Sequence, residues 1–164
     1  MPFPIRALCP LLFVPPPLYL SSMKMVIELQ EHPQPADLRQ LLDGVRAYNR
    51  DRTGNDRPRA VAVFLRDENG RMVGGVQGDL WGRSMHIAAL WVDDKYRSQG
   101  HGSALMMAVE KYGAENDHPL IYLETTSFQA LPFYQGLGYE LFGELPEITA
   151  GHKLYFLKKE ISRG

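Results

Sequence analysis

The segment Leu90-Trp-Val-Asp-Asp-Lys-Tyr-Arg-Ser-Gln-Gly-His-Gly-Ser-Ala-Leu105 constrains this chain more than any other. Its apolar start reads as a buried strand and its middle as a turn carrying Gly100 and Gly102. Its end opens an amphipathic helix on which Leu105, Met106, Val109 and Tyr112 share one face, to about Glu115. Helix starts carry N–H groups without partners and a partial positive charge, and glycines let a ligand come close to that backbone. Ser98 to Ser103 are therefore candidates to wrap a phosphate or pyrophosphate.

The rest of the chain supplies a sheet for that helix. Met25 to Leu29 is a short apolar run ending near His32 and Pro33 and reads as a first strand. Leu38, Leu41, Leu42, Val45 and Tyr48 recur at helical spacing, which predicts a helix from about Pro35 to Tyr48. The polar stretch Asn49 to Pro58 reads as a loop or short helix. Ala60 to Arg66 and Met72 to Trp81 read as strands joined by Asp67-Glu68-Asn69-Gly70, whose Asn-Gly pair favours a tight hairpin turn. After the Gly82-Arg83-Ser84 turn, Met85 to Val92 is apolar enough for a central strand buried on both faces. Further on come a strand at Leu120 to Thr125, a short helix at Ala130 to Gln135 closed by Gly136 and Gly138, and strands at Tyr139 to Glu144 and Lys153 to Lys158. The expected order, β-α-(loop)-β-β-β-α-β-α-β-β, is a mixed α/β layout with helices covering a mostly antiparallel sheet.

Residues 1–22 differ in kind, holding six of the 12 prolines, the single cysteine Cys9 and only one charge, Arg6. Pro10 and Pro15 to Pro17 interrupt any signal-peptide core, and they break the run of about 20 helical apolar residues that a membrane span requires. We expect a disordered leader or a mis-assigned start, with a single domain over 23–164 and no membrane association. With 18 Lys+Arg against 19 Asp+Glu the net charge is −1, so no overall positive field draws the protein to nucleic acid. One cysteine makes no internal disulfide, and a reducing cytoplasm fits best. No His/Cys/Asp/Glu set stands at ligand spacing, so no metal is expected.

Known phosphate-binding signatures fit the glycine turn unequally. A P-loop ends in Gly-Lys-Ser/Thr, and Gly102-Ser103 lacks the lysine; a dinucleotide fingerprint puts a third glycine where this chain has Leu105. Arg97, Gly100 and Gly102 spell Arg-x-x-Gly-x-Gly after an apolar strand ending Trp91-Val92, which resembles the coenzyme A signature of the GCN5-related N-acetyltransferase (GNAT) family. Phe133-Tyr134-Gln135-Gly136-Leu137-Gly138-Tyr139 resembles the family's C-terminal element, an aromatic-Tyr pair on a short helix followed by a turn into a strand. The two motifs stand in the family's order, and the ending Gly151-His152-Lys153-Leu154-Tyr155-Phe156 is similar to that of small bacterial acetyltransferases of unassigned substrate.

The resemblance implies the acyl-CoA N-acyltransferase fold: a six- to seven-stranded sheet, mostly antiparallel, splayed at two parallel strands and flanked by about four helices. It implies acetyl-CoA as co-substrate, lying in the splay between Leu90 to Val92 and Leu120 to Thr125. Leu90, Trp91 and Val92 would offer main-chain groups to the pantetheine arm as an added strand would, with an N–H near Val92 polarising the thioester carbonyl. Arg97, Ser98, Gln99, Gly100, His101, Gly102 and Ser103 would hold the pyrophosphate. Tyr134 matches the family's general-acid tyrosine, a phenol of pKa ~10 suited to protonating a leaving thiolate. Glu124 stands where several members carry a glutamate base. The family's usual asparagine before the tyrosine helix is absent here, Ser127 being the nearest stand-in, and His86 and His101 are weaker candidates for the proton acceptor.

The implied activity is direct transfer of acetyl from acetyl-CoA to a primary amine of a small molecule or peptide. A covalent thiol route has no residue outside the leader, since Cys9 is the only cysteine. Asp37, Asp43, Glu68, Asp79 and Glu144 mix with Arg39, Arg46 and Arg83, so no acidic cluster selects a polycation. Two other readings keep the glycine cradle. A non-catalytic acyl-CoA sensor or interaction module dispenses with Tyr134 and Glu124, and a flavin or nucleotide binder uses the same turn for another phosphate. Many relatives are homodimers, and the apolar final strands offer a face for a second copy.

Overall fold

The computed structural model describes residues 25–54 and 59–162. The expected leader at 1–22 lies outside them. The chain forms helix α1 (Pro35–Thr53), the antiparallel strands β1 (Arg59–Arg66), β2 (Met72–Trp81) and β3 (Ser84–Val92), and a 3-10 turn at Asp94–Tyr96. Helix α2 (His101–Glu115), strand β4 (Leu120–Thr126), helix α3 (Leu131–Gly136) and strands β5 (Glu140–Thr149) and β6 (His152–Glu160) follow. The six strands make one sheet in the order β1-β2-β3-β4-β6-β5. β3 and β4 are parallel neighbours, and the other pairs are antiparallel.

Local chemistry explains these elements. At the β1–β2 hairpin the Asp67 carboxylate accepts N–H bonds from Asn69 (3.0 Å) and Arg71 (2.9 Å), and Gly70 takes φ 78°, which only glycine adopts freely. α2 lays its periodic face on the sheet. Leu105, Met106 and Val109 pack with Val76, Leu80, Met85, Ile87, Ile121, Leu123 and Leu157 in one buried cluster, closed at its end by Tyr134 and Tyr139. Burying side chains of this size contributes about 1.5–3 kcal/mol each, so this face of the sheet holds the fold together.

Four expectations need correction. Met25 to Leu29 forms no strand; Val26 and Ile27 are 80% and 101% exposed, and a strand exists only through a ladder to a neighbour, which composition does not supply. The helix predicted to end at Tyr48 continues to Thr53 and stops at Gly54 (φ 70°), whose N–H bonds the Arg50 carbonyl. Its apolar stripe of Leu38, Leu41, Leu42, Val45 and Tyr48 forms as spaced, yet none of these side chains is buried. Finally, β3 is central but covered on one face only. Met85 and Ile87 are buried, whereas Ala88, Ala89 and Trp91 are exposed, because the strand changes role along its length.

Candidate active site

β3 and β4 pair from Ser84↔Leu120 to Ile87↔Leu123 and then part, although β3 continues to Val92 and β4 to Thr126. The cause lies partly on the other edge of β3. Its register with β2 jumps from Gly78↔Ile87 to Gln77↔Ala89, so Ala88 is an extra, bulged residue just where the parallel ladder stops. Such a bulge bends its strand and increases the local twist. The fork opens a cavity of about 1000 Å³, lined among others by Ala88, Leu90 and Val92 of β3, Glu124 of β4, and Phe133 and Tyr134 of α3.

One end of the cavity is the start of α2. Ser98 (φ 58°) and Gly100 (φ 83°) turn the chain through left-handed conformations. No side chain caps the helix, and the bond from Ala104 N–H to the Gly100 carbonyl (3.0 Å) is its first. The N–H groups of His101, Gly102 and Ser103 therefore have no helical acceptor, and they suit an anionic oxygen. A side chain at Gly102 would intrude here, since its Cβ would lie 3.3 Å from Phe133 Cζ. Unfilled donors, a bare glycine and an adjoining cleft fit a pyrophosphate with an extended arm.

The structure brings Leu90, Trp91, Val92, Arg97, Ser98, Gly100, Gly102 and Ser103 to the cavity wall together with Glu124 and Tyr134. Gln99 and His101 stand beside it. Gln99 donates its amide to the Lys95 carbonyl (3.0 Å), and the His101 ring meets Tyr96 edge-on at 6.5 Å. Arg97 also braces the turn, with Nε donating to the Val92 carbonyl (2.9 Å) and Nη1 lying 2.8 Å from Asp94 Oδ1. Tyr134 is 8% exposed, wedged edge-on between Phe133 (5.1 Å) and Tyr139 (5.9 Å), and burial raises its phenol above the ordinary value of 10.0. Glu124 reaches His86, Oε2 to Nε2, at 2.6 Å. Ser127 accepts the Lys153 N–H (3.2 Å) and lies 3.1 Å from His152 Nδ1, tying its loop to β6.

Sequence reasoning overlooked Ala88, Phe128, Gln129 and Ala130, all on the cavity wall, where Thr125 closes the strand expected as the second wall. Two successive small residues, Ala88-Ala89, in a strand of larger ones were the available signal for the bulge. Nothing in the sequence marks the Thr125 to Ala130 turn, in which Thr125 Oγ1 accepts from the Ala130 N–H at 3.4 Å. Among the described residues, no helix is long and apolar enough to cross a membrane, and no group of three or more His, Cys, Asp or Glu is placed to hold a metal ion.

A sheet forked at two parallel strands, with unfilled helix-start N–H groups at the mouth of the fork, is the arrangement implied by the resemblance to the N-acyltransferase class. The acetyltransferase (GNAT) family model matches residues 24–139, and the chain belongs to that family. It is 34% identical over 119 residues to blasticidin-S acetyltransferase of Streptomyces morookaense, covering 71% of this chain and 88% of that protein. An acetyltransferase from Bacillus cereus superposes with a TM-score of 0.73 at 29% identity, covering 82% of this chain and 98% of the other. A Bacillus anthracis protein described as a streptothricin acetyltransferase, solved with acetyl coenzyme A, shares the fold with a TM-score of 0.57 at 20% identity over 66% of each chain. This chain is an acetyl-CoA-dependent acyltransferase.

Proposed function

We propose that residues 23–164 act as one N-acetyltransferase domain that moves acetyl directly from acetyl-CoA to a primary amine of a small molecule. The observation that carries this reading is the fork itself, which gathers the α2 cradle, Glu124 and Tyr134 around one cavity. The main-chain N–H groups of His101, Gly102 and Ser103 bind the pyrophosphate. Beyond Ile87, β3 presents its free edge to the pantetheine arm, and the coenzyme supplies an acetyl carbon activated as a thioester. Glu124 takes the proton that the amine nitrogen sheds as it bonds to the acetyl carbon. Tyr134 gives its phenolic proton to the sulfur as the carbon–sulfur bond breaks. Burial keeps Tyr134 protonated, and a thiolate forming in the same cleft is desolvated likewise, so the two basicities rise together.

The acceptor class is a soluble amine of antibiotic size, supported by the likeness to blasticidin-S acetyltransferase. Blasticidin S is the first acceptor to test, in a screen of small amines and peptides read by release of coenzyme A thiol. Turnover with a small amine supports the reading. Tight acetyl-CoA binding without turnover on any amine favours a sensor, and turnover on peptides alone replaces the acceptor class.

A further inference from the structure

His86 stands on β3 one residue before the last parallel pair, and Glu124 stands on β4 one residue after it. Their contact, Nε2 to Oε2 at 2.6 Å, spans the point at which the strands part. At that distance a proton must lie between the two atoms, and with Glu124 ionised it is the imidazole Nε2–H that donates. The imidazole is itself held, since Tyr122, its register partner on β4, stacks on it at 5.0 Å and 28°. Directly opposed residues on neighbouring strands share a face, which places Asp79 of β2 next to His86 and Lys158 of β6 next to Tyr122. Asp79 accepts from the Gln77 amide at 3.1 Å, and it is Glu124, at 2.6 Å, that the imidazole Nε2 meets.

We infer that His86 is the positioning residue for the proton acceptor: its Nε2–H holds Glu124 Oε2, so that the second carboxylate oxygen is presented to the acceptor amine. The inference rests on the reading of Glu124 as that acceptor. At 35% exposure the Glu124 carboxylate would otherwise sample several rotamers in a wet cleft, and a misplacement of about 1 Å can cost on the order of a hundredfold in rate. A pair about a third exposed contributes little to folding stability, so turnover is where its loss registers.

The test uses the full chain and three variants, assayed with the best acceptor from the amine screen and with acetyl-CoA binding measured separately. His86→Phe keeps a ring against Tyr122 and removes the donor; it lowers kcat on the order of tenfold to a hundredfold while acetyl-CoA affinity and melting temperature hold. His86→Gln, which returns an N–H at similar reach, recovers most of that loss. An unchanged kcat in His86→Phe, or a His86→Gln as impaired as His86→Phe, overturns the positioning role while leaving Glu124 in place if Glu124→Gln is inactive. Full turnover in Glu124→Gln instead overturns the underlying reading. Nitrogen-15 NMR of the imidazole needs no acceptor: the wild type carries its proton on Nε2 and the signal moves in Glu124→Gln, whereas a neutral ring protonated on Nδ1 overturns the inference.

Discussion

β4 meets the sheet along two edges that behave differently. Toward β6 it is paired through all seven residues, from Leu120↔Glu160 to Thr126↔Leu154, and the β6 side chain Leu157 is fully buried opposite Leu123. Toward β3 the ladder lasts four residues and then gives way to the cavity. Backbone groups left without a ladder persist only where water or a ligand can satisfy them. One strand thus serves as a structural member on its antiparallel edge and as one wall of the cleft on its parallel edge. Substitutions on the two edges should separate stability from activity.

The largest separation is expected on the cleft side from Tyr134→Phe of α3, which removes the proposed acid and keeps the ring between Phe133 and Tyr139. Turnover should fall about 10²- to 10⁴-fold, the span of a lost acid-base group, with acetyl-CoA affinity intact by calorimetry; unchanged turnover would remove Tyr134 from the mechanism. On the antiparallel edge, Leu157→Ala should lower unfolding free energy by about 2–5 kcal/mol in denaturant titration, with kcat at low temperature nearly preserved in the folded fraction. A small loss there would mean that β6 is not the strut described. Gly102→Glu places a carboxylate and a Cβ beside Phe133 in the cradle. Acetyl-CoA affinity should drop by at least about tenfold, roughly the 1.4 kcal/mol a repelled anion readily supplies, and retained binding in the folded variant would refute the cradle.

The smallest effect is an absence. Because burial raises the Tyr134 phenol, its protonated form persists past pH 10.0, and if Tyr134 is the proposed acid the kcat profile should show no Tyr134 limb below that pH. The linked stability has the same sign, present below the unfolded value and lost only as pH climbs through the raised one. A fall in kcat at pH 8 to 9 that Tyr134→Phe abolishes would contradict this.

Much of the architecture was legible because its signals are local. The Asn69-Gly70 turn, the periodic face of α2 and the Gly100 turn each depend on a few neighbouring residues, and each formed where the spacing placed it. Met25 to Leu29 failed for the opposite reason, since a strand needs a partner edge. α1 shows the same limit: its spacing specified a helix, but burial of its stripe required a surface to meet it. For the site, the motif residues Gly100, Gly102 and Tyr134 were readable and stand on the cavity wall, while the small pair Ala88-Ala89 did not by itself fix the bulge, because a bulge is a mismatch in register between two strands.

The sequence by itself determined the helix start at the Gly100 turn, the Tyr134 position on a short helix, and a local preference for each strand, since these follow from side-chain size, backbone freedom and spacing along the chain. Tertiary structure alone decided that β6 inserts between β4 and β5, that the parallel ladder ends at Ile87 and Leu123, and that His86 meets Glu124 across the gap. These are relations between segments dozens of residues apart, fixed by which faces could be buried together.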